Sequence, residues 1–116
     1  MATILQQGLL MKIAIPYWQG RISPVFDMAK EIMLIHVENG HVVGRNKTLI
    51  VEKNPLTRVN YIVQLGTEVL ICGAILWSLQ RALSSTGVHV IANIHGQVED
   101  AIKALLSNQL VEKSLK

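Results

Sequence analysis

The periodicity of the chain changes at Asn54-Pro55, and this change constrains the fold more than any other feature. Upstream, apolar residues come in strand-sized runs over Lys12–Tyr17, Glu31–Glu38 and His41–Glu52. Asn39-Gly40 joins the last two and signals a tight two-residue hairpin. Gly44 marks a bulge or bend in the return strand. Trp18–Asp27, with Gly20 and Pro24, reads as a loop with an extended centre. Downstream, helical and strand spacing alternate. Asn54 can cap a helix and Pro55 suits its first position. Leu56, Val59 and Val63, flanked by Ile62, then give that helix an apolar face, and Gly66 stops it. Glu68–Cys72 is a strand. Ala74–Ser85 is a helix with Ile75, Leu76, Leu79, Ala82 and Leu83 inward, ended by Gly87. Val88–Ile94 is a strand, and Gln97–Asn108 is a helix facing inward through Val98, Ala101, Ile102, Leu105 and Leu106. Strands joined through helices pair in parallel by right-handed crossovers, whereas a hairpin pairs antiparallel. A chain that does both is expected to build one mixed five-stranded α/β sheet flanked by helices.

Such a sheet is buried on both faces and needs little polar surface. The composition agrees: half of the residues are hydrophobic and only 16% are charged. A length of 116 residues suits one domain. That domain is expected over residues 11–110, with 1–10 a loosely ordered extension and 111–116 a frayed tail. No run reaches the length of a membrane span, and the N-terminus lacks the pattern of a signal peptide; a cytoplasmic protein with no membrane partner is expected. The net charge of +3 is carried by scattered side chains, Arg45, Arg58 and Arg81 among them, which reads as an ordinary solvated surface. Basic runs with interleaved aromatics are absent, which speaks against nucleic-acid binding. The single cysteine rules out an intrachain disulfide.

Ligands of open α/β sheets bind at the carboxyl ends of strands, where the strand order reverses. Three segments end strands in this way: Trp18–Val25, Cys72-Gly73 and His95-Gly96. If the strands before them are parallel neighbours, the three share one edge. Cys and His together suit a transition metal or an iron–sulfur species. Gly73 and Gly96 permit close backbone approach and precede helices whose free N–H groups attract anions. Arg21 can pair with an anionic ligand. Structural roles are the commoner fate of such residues. A lone cysteine at a strand end is usually a small core residue, and Ser23 before Pro24 is by itself a turn former. His36 reads as structural, and His41 and His89 as exposed. Met28 and Met33 read as core. Trp18 and Trp77 are candidates for the wall of a pocket.

Met11–Asp27 (MKIAIPYWQGRISPVFD) resembles the opening of the dinitrogenase iron–molybdenum cofactor biosynthesis family, with its Lys-Ile-Ala strand and Ser-Pro-x-Phe or His-Phe-Gly element. Val37-Glu38-Asn39-Gly40 is similar to the family's hairpin. Leu70–Ile75 (LICGAI) and Asn93–Ala101 (NIHGQVEDA) resemble its Cys-Gly and Gly-x-Val-Glu-x-Ala segments. The resemblance spans about Met11–Leu110, in the family's order. It implies a ribonuclease H-like fold and the binding of an iron–sulfur or iron–molybdenum cluster, or its precursor, during cofactor assembly. Together with the strand-end reading, it puts Arg21, Ser23, Cys72, Gly73, His95 and Gly96 in the expected cofactor-binding set. The family's His-Phe-Gly element reads Val25-Phe26-Asp27 here, so the metal-ligand expectation passes to Cys72 and His95.

The sequence thus favours a binding or carrier protein over an enzyme. Its expected partners are a metal cluster or other anionic ligand and a protein of cofactor assembly; the apolar content also permits a homodimer. Two-metal nuclease chemistry needs several carboxylates on strands, and the only aspartates are Asp27 and Asp100. A non-metal interaction or regulatory module that kept the fold and lost the site is the alternative.

Overall fold

The computed structural model describes residues 10–51 and 54–107. Strands β1 (Leu10–Trp18), β2 (Arg21–Ile22), β3 (Glu31–Glu38) and β4 (His41–Leu49) come first, with a single 3₁₀ turn at Phe26–Met28. Helix α1 (Pro55–Gln64), β5 (Val69–Ile71), α2 (Trp77–Ser85), β6 (His89–Ile91) and α3 (Val98–Leu106) follow. The sheet order is β4-β3-β1-β5-β6, with β2 paired to β1 alone. β1 is antiparallel to β3 and parallel to β5, so the mixed sheet changes sense across its central strand. The expected five strands are present, and the two-residue β2 is the extended centre of the loop after β1.

Side-chain alternation sorts the core into two layers. Ile13, Ile15, Ile35, Val37, Val69 and Ile71 face one way and are covered by Val98, Ile102 and Leu105 of α3. Ala14, Ile32, Leu34, Leu70 and Cys72 face the other way, under Val59 and Ile62 of α1 and Leu79 and Leu83 of α2. Burial on both faces is what the low charge content requires. Thr48 Oγ1 and Tyr61 Oη lie 2.8 Å apart, and Tyr61 also donates to the Leu49 carbonyl, which ties α1 to β4.

The turn signals act as read. Asn39 and Gly40 both take positive φ, 52° and 80°, in the tight hairpin between β3 and β4. The register of that pair shifts between His36 and Val37, with Val43 the extra residue beside Gly44. Asn54 caps α1, its Oδ1 accepting from the Leu56 and Thr57 N–H groups. Gly66 follows α1 with φ 77°. Helix faces were less legible. α1 is rolled so that Arg58, not Leu56, joins Val59 and Ile62 inside; Leu56 is exposed. α2 begins at Trp77 rather than Ala74, because Gly73 and Ala74 spend their backbone bonds on neighbouring loops, and Leu76 is exposed. β4 stops at Leu49, short of the expected Glu52, which lies outside the described residues. Of the expected extension over 1–10, Leu10 belongs to β1 and the rest lies outside them, as does the tail over 111–116.

Candidate functional site

β1, β5 and β6 are adjacent and parallel, so their carboxyl ends open on one edge. The loops there are bonded into a single unit. The Ala74 N–H donates to the Pro24 carbonyl at 2.8 Å, and the Phe26 N–H to the Ala74 carbonyl at 2.8 Å. Asn93 N–H donates to Gly73 carbonyl at 2.9 Å, and Ile22 N–H to Gly96 carbonyl at 2.9 Å. Short bridges pair Arg21 with Gln97 and Val25 with Ala74. The three segments singled out in the sequence therefore share one edge.

Within that edge the side chains divide. Arg21 and His95 are exposed on the rim, each one residue from the bond that joins Ile22 to Gly96. Cys72 is fully buried and packs in the core layer with Ala14, Phe26 and Leu79. Its N–H donates to the Ile91 carbonyl and its carbonyl accepts from Ile94 N–H. The fold thus brings the Cys72 and His95 backbones to one edge but sends one side chain into the core and the other to solvent. Ser23 is buried; its N–H donates to the Pro16 carbonyl at 2.7 Å and its Oγ to the Val25 carbonyl. It shapes the turn.

Gly73 is required by the chain itself. A Cβ there would stand 2.4 Å from the Pro24 carbonyl oxygen, so the close approach expected of a ligand is made by the neighbouring loop. Nor does Gly73 open a helix, since α2 starts four residues later. Gly96 does precede a helix. It adopts φ 108° with open space where a side chain would be, and α3 carries Glu99 and Asp100 in its first turn. Those carboxylates already complement the helix dipole, leaving little of it for an anion. Among the described residues, no three His, Cys, Asp or Glu side chains stand close enough to share a metal ion. The donor set as folded fits an anion held at a rim better than a metal held by thiolate.

Other candidates sort plainly. His41 and His89 are exposed, and His36 is half-buried opposite Gly44. Met33 packs against the core, but Met28 does not: it is 74% exposed. Trp18 and Trp77 are also exposed; Trp77 lies under the Arg81 guanidinium, 4.7 Å from its ring centre. Two residues were missed. Arg58, read as surface charge, is 5% exposed and donates to the Phe26 carbonyl. Asp27 lies nearby, and its carboxylate opposes the downward pull of burial on the Arg58 pKa. The only sequence signal was position: Arg58 precedes Val59 on an amphipathic helix, within reach of its inner arc.

Several proteins match this chain over most of its length. An uncharacterized protein of Methanocaldococcus jannaschii, MJ0580, is 27% identical over 108 residues, covering 87% of this chain and 90% of its own. The crystal structure of PH0822 superposes with a TM-score of 0.81 at 20% identity, over 89% of this chain and 95% of that one. The apo form of the orange protein from Desulfovibrio gigas gives 0.73 at 17% identity, over 90% and 93%. At these identities the two structures establish the fold. The model of the family described as dinitrogenase iron-molybdenum cofactor matches residues 10–108, nearly the whole chain. The chain belongs to the dinitrogenase iron-molybdenum cofactor family.

Proposed function

We propose that this protein binds and carries an anionic metal–sulfur cluster of the iron–sulfur or iron–molybdenum type, or its precursor, and that it does so without catalysing a reaction. Family membership supports the cargo. The observation that carries the reading is the bonded loop edge that presents Arg21 and His95 together on an exposed rim. A guanidinium pairs with the negative charge of such a cargo, and an imidazole can ligate one of its metals. Two-metal nuclease chemistry is no part of this reading: Asp27 lies in the 3₁₀ turn and Asp100 in the first turn of α3, neither on a strand.

The test is anaerobic reconstitution of the full chain with iron, sulfide and molybdate, followed by gel filtration, elemental analysis and visible spectra. Co-eluting metal with a charge-transfer band, lost in both Arg21→Ala and His95→Ala, is the expected result. Retention of the band in Cys72→Ser would place the cargo on the rim; its loss would make the buried thiol a ligand after loop opening. Metal-free protein under every regime would sink the reading. One observation favours the alternative of an interaction or regulatory module in cofactor assembly: Cys72 is wholly enclosed in the core. Capture of a protein partner by metal-free chain, weakened by Arg21→Ala, would support that alternative.

A further inference from the structure

Beside the loop edge, on the α1 face of the sheet, lies a cavity of about 690 Å³. The register Tyr17–Glu31–Leu49 brings the end of β1, the start of β3 and the end of β4 to one rim, and the cavity opens there. Met28, Leu49, Ile50 and Val51 form apolar walls; Asp27, Lys30 and Arg58 supply charge. Three of the wall residues are strongly exposed, Met28 at 74%, Leu49 at 64% and Val51 at 75%. A second hollow of about 440 Å³ continues past Met28, Lys30 and Leu49 toward Tyr17 and Trp18. An apolar cavity of this size with a few converging polar groups has the character of a small-molecule site.

The polar groups at its base are incomplete. Arg58 is 5% exposed and spends one Nη1 bond on the Phe26 carbonyl at 3.3 Å. Its Nε has no partner, and neither does the buried Oδ1 of Asp27. No ion pair joins the two residues. Buried polar groups in folded proteins are almost always satisfied, so two orphans in one cavity call for a guest that carries the missing partners. Arginine stays charged at neutral pH. Among the described residues, the lining sets Arg58 and Lys30 against Asp27, which favours a guest that presents a carboxylate.

We propose that this cavity is a second binding site, for a small apolar carboxylic acid that bears a hydrogen-bond donor next to its carboxylate, as in apolar 2-hydroxy and 2-amino acids. The carboxylate accepts from Arg58 Nε and meets Lys30. The neighbouring hydroxyl or ammonium donates to Asp27 Oδ1. The apolar tail lies on Met28, Leu49 and Val51, where water is otherwise in contact with hydrocarbon. The site is separate from the Arg21–His95 rim and does not depend on the cluster reading.

The experiment is an NMR titration of the full-length ¹⁵N-labelled protein with leucine, 2-hydroxy-4-methylpentanoate and donor-less 4-methylpentanoate. The two donor-bearing acids are expected to give saturable shifts at Arg58 Nε–H, Met28 and Ile50, with dissociation constants of about 1 mM or tighter. The donor-less acid should bind about tenfold more weakly. Asp27→Ala should erase that preference, because it removes the acceptor that reads the donor. Arg58→Lys keeps the charge but loses Nε, and should weaken all three acids about tenfold; if it does not fold, the Asp27→Ala comparison decides alone. Equal binding of the three acids by the unaltered protein would overturn the proposal. So would the absence of saturable shifts, which would leave only water on the orphaned atoms. Unchanged acid binding in His95→Ala would confirm that the two sites are distinct.

Discussion

Gly73 and Asn54 hold their places for opposite reasons, and each can be tested alone. Gly73 is demanded by contact. Any side chain there drives a Cβ to 2.4 Å from the Pro24 carbonyl oxygen and 2.8 Å from that of Ser23, both backbone atoms that cannot swing aside. Gly73→Ala is expected to cost about 2–3 kcal/mol, as overpacking in a closed interior does, read as a lower urea midpoint. The same variant should loosen the loop edge and weaken cargo loading. Asn54 is demanded by hydrogen bonding: its Oδ1 takes up two N–H groups at the start of α1, and Asn54→Ala should cost about 1 kcal/mol. The sequence disclosed the second role fully, since Asn-Pro before an amphipathic run is a local signal. It disclosed the first only as a preference for glycine. Local rules state that glycine permits close approach, but which chain approaches is decided by residues 49 positions away. The burial of Arg58 escaped in the same way, and for Cys72 the sequence left core residue and ligand both open. One residue of rotation separates a core thiol from a ligand, or a buried arginine from a solvated one, and no periodicity argument resolves that step.

Among the secondary-structure elements, the strands and the start of α1 were legible and the start of α2 was not, because strands follow alternation and α1 its own cap, whereas α2 is set by tertiary bonds. The hairpin of β3 and β4 follows from Asn39-Gly40, and both layers of the core follow from period-two alternation along β1 and β5. The start of α2 follows from nothing local, since Ala74 bonds to residues 24 and 26 instead of beginning the helix. The small hairpin of β1 and β2 turns on Gln19 and Gly20, with φ 51° and 83°, a weaker form of the Asn-Gly signal. One contact between elements is electrostatic. Arg45 of β4 and Glu99 of α3 form a bidentate pair, its second bond 2.8 Å long. The hydrogen bond from Arg45 holds the Glu99 carboxyl below its ordinary pKa, and the bond to Glu99 raises that of Arg45. A depressed carboxylate pKa contributes stability above the unfolded-state value, and that contribution is lost as pH falls through the folded-state value. The raised arginine pKa contributes below its unfolded value and is lost only at strongly alkaline pH. Side-chain exposures of 37% and 60% keep the pair small. Glu99→Gln should therefore cost about 0.5 kcal/mol or less at neutral pH and low salt. Urea titrations at neutral pH and at about pH 3, where most carboxylates are protonated, should find the difference only at the former.

For the molecule as a whole, the question is whether the loop edge and the core behind it move together. The Cys72 thiol is a natural reporter, because it is fully enclosed while its backbone belongs to the edge. Its enclosure is built from both halves of the chain: Ala14 and Phe26 come from the β-rich half, Leu79 from the helix that follows β5. A thiol held in this way reacts only when its surroundings open, and the rate reports the free energy of that opening. If the sheet and loops are one cooperative unit, labelling by an aromatic disulfide in native buffer should be slower than for an exposed thiol by about 10³ or more. The rate should then climb with urea at the slope of global unfolding. Such behaviour would make Cys72 a packing residue and leave the cargo to Arg21 and His95. Fast labelling that urea hardly changes would mean that residues 72–76 lift away alone, exposing little new surface. The thiolate would then reach the same edge as the imidazole, and a carrier whose site completes itself only on loading would replace one whose rim is preformed. The Gly73→Ala variant separates these mechanisms further. A cooperative unit loses stability and protection of the thiol by equal free energies, whereas a locally opening loop loses far more protection than stability.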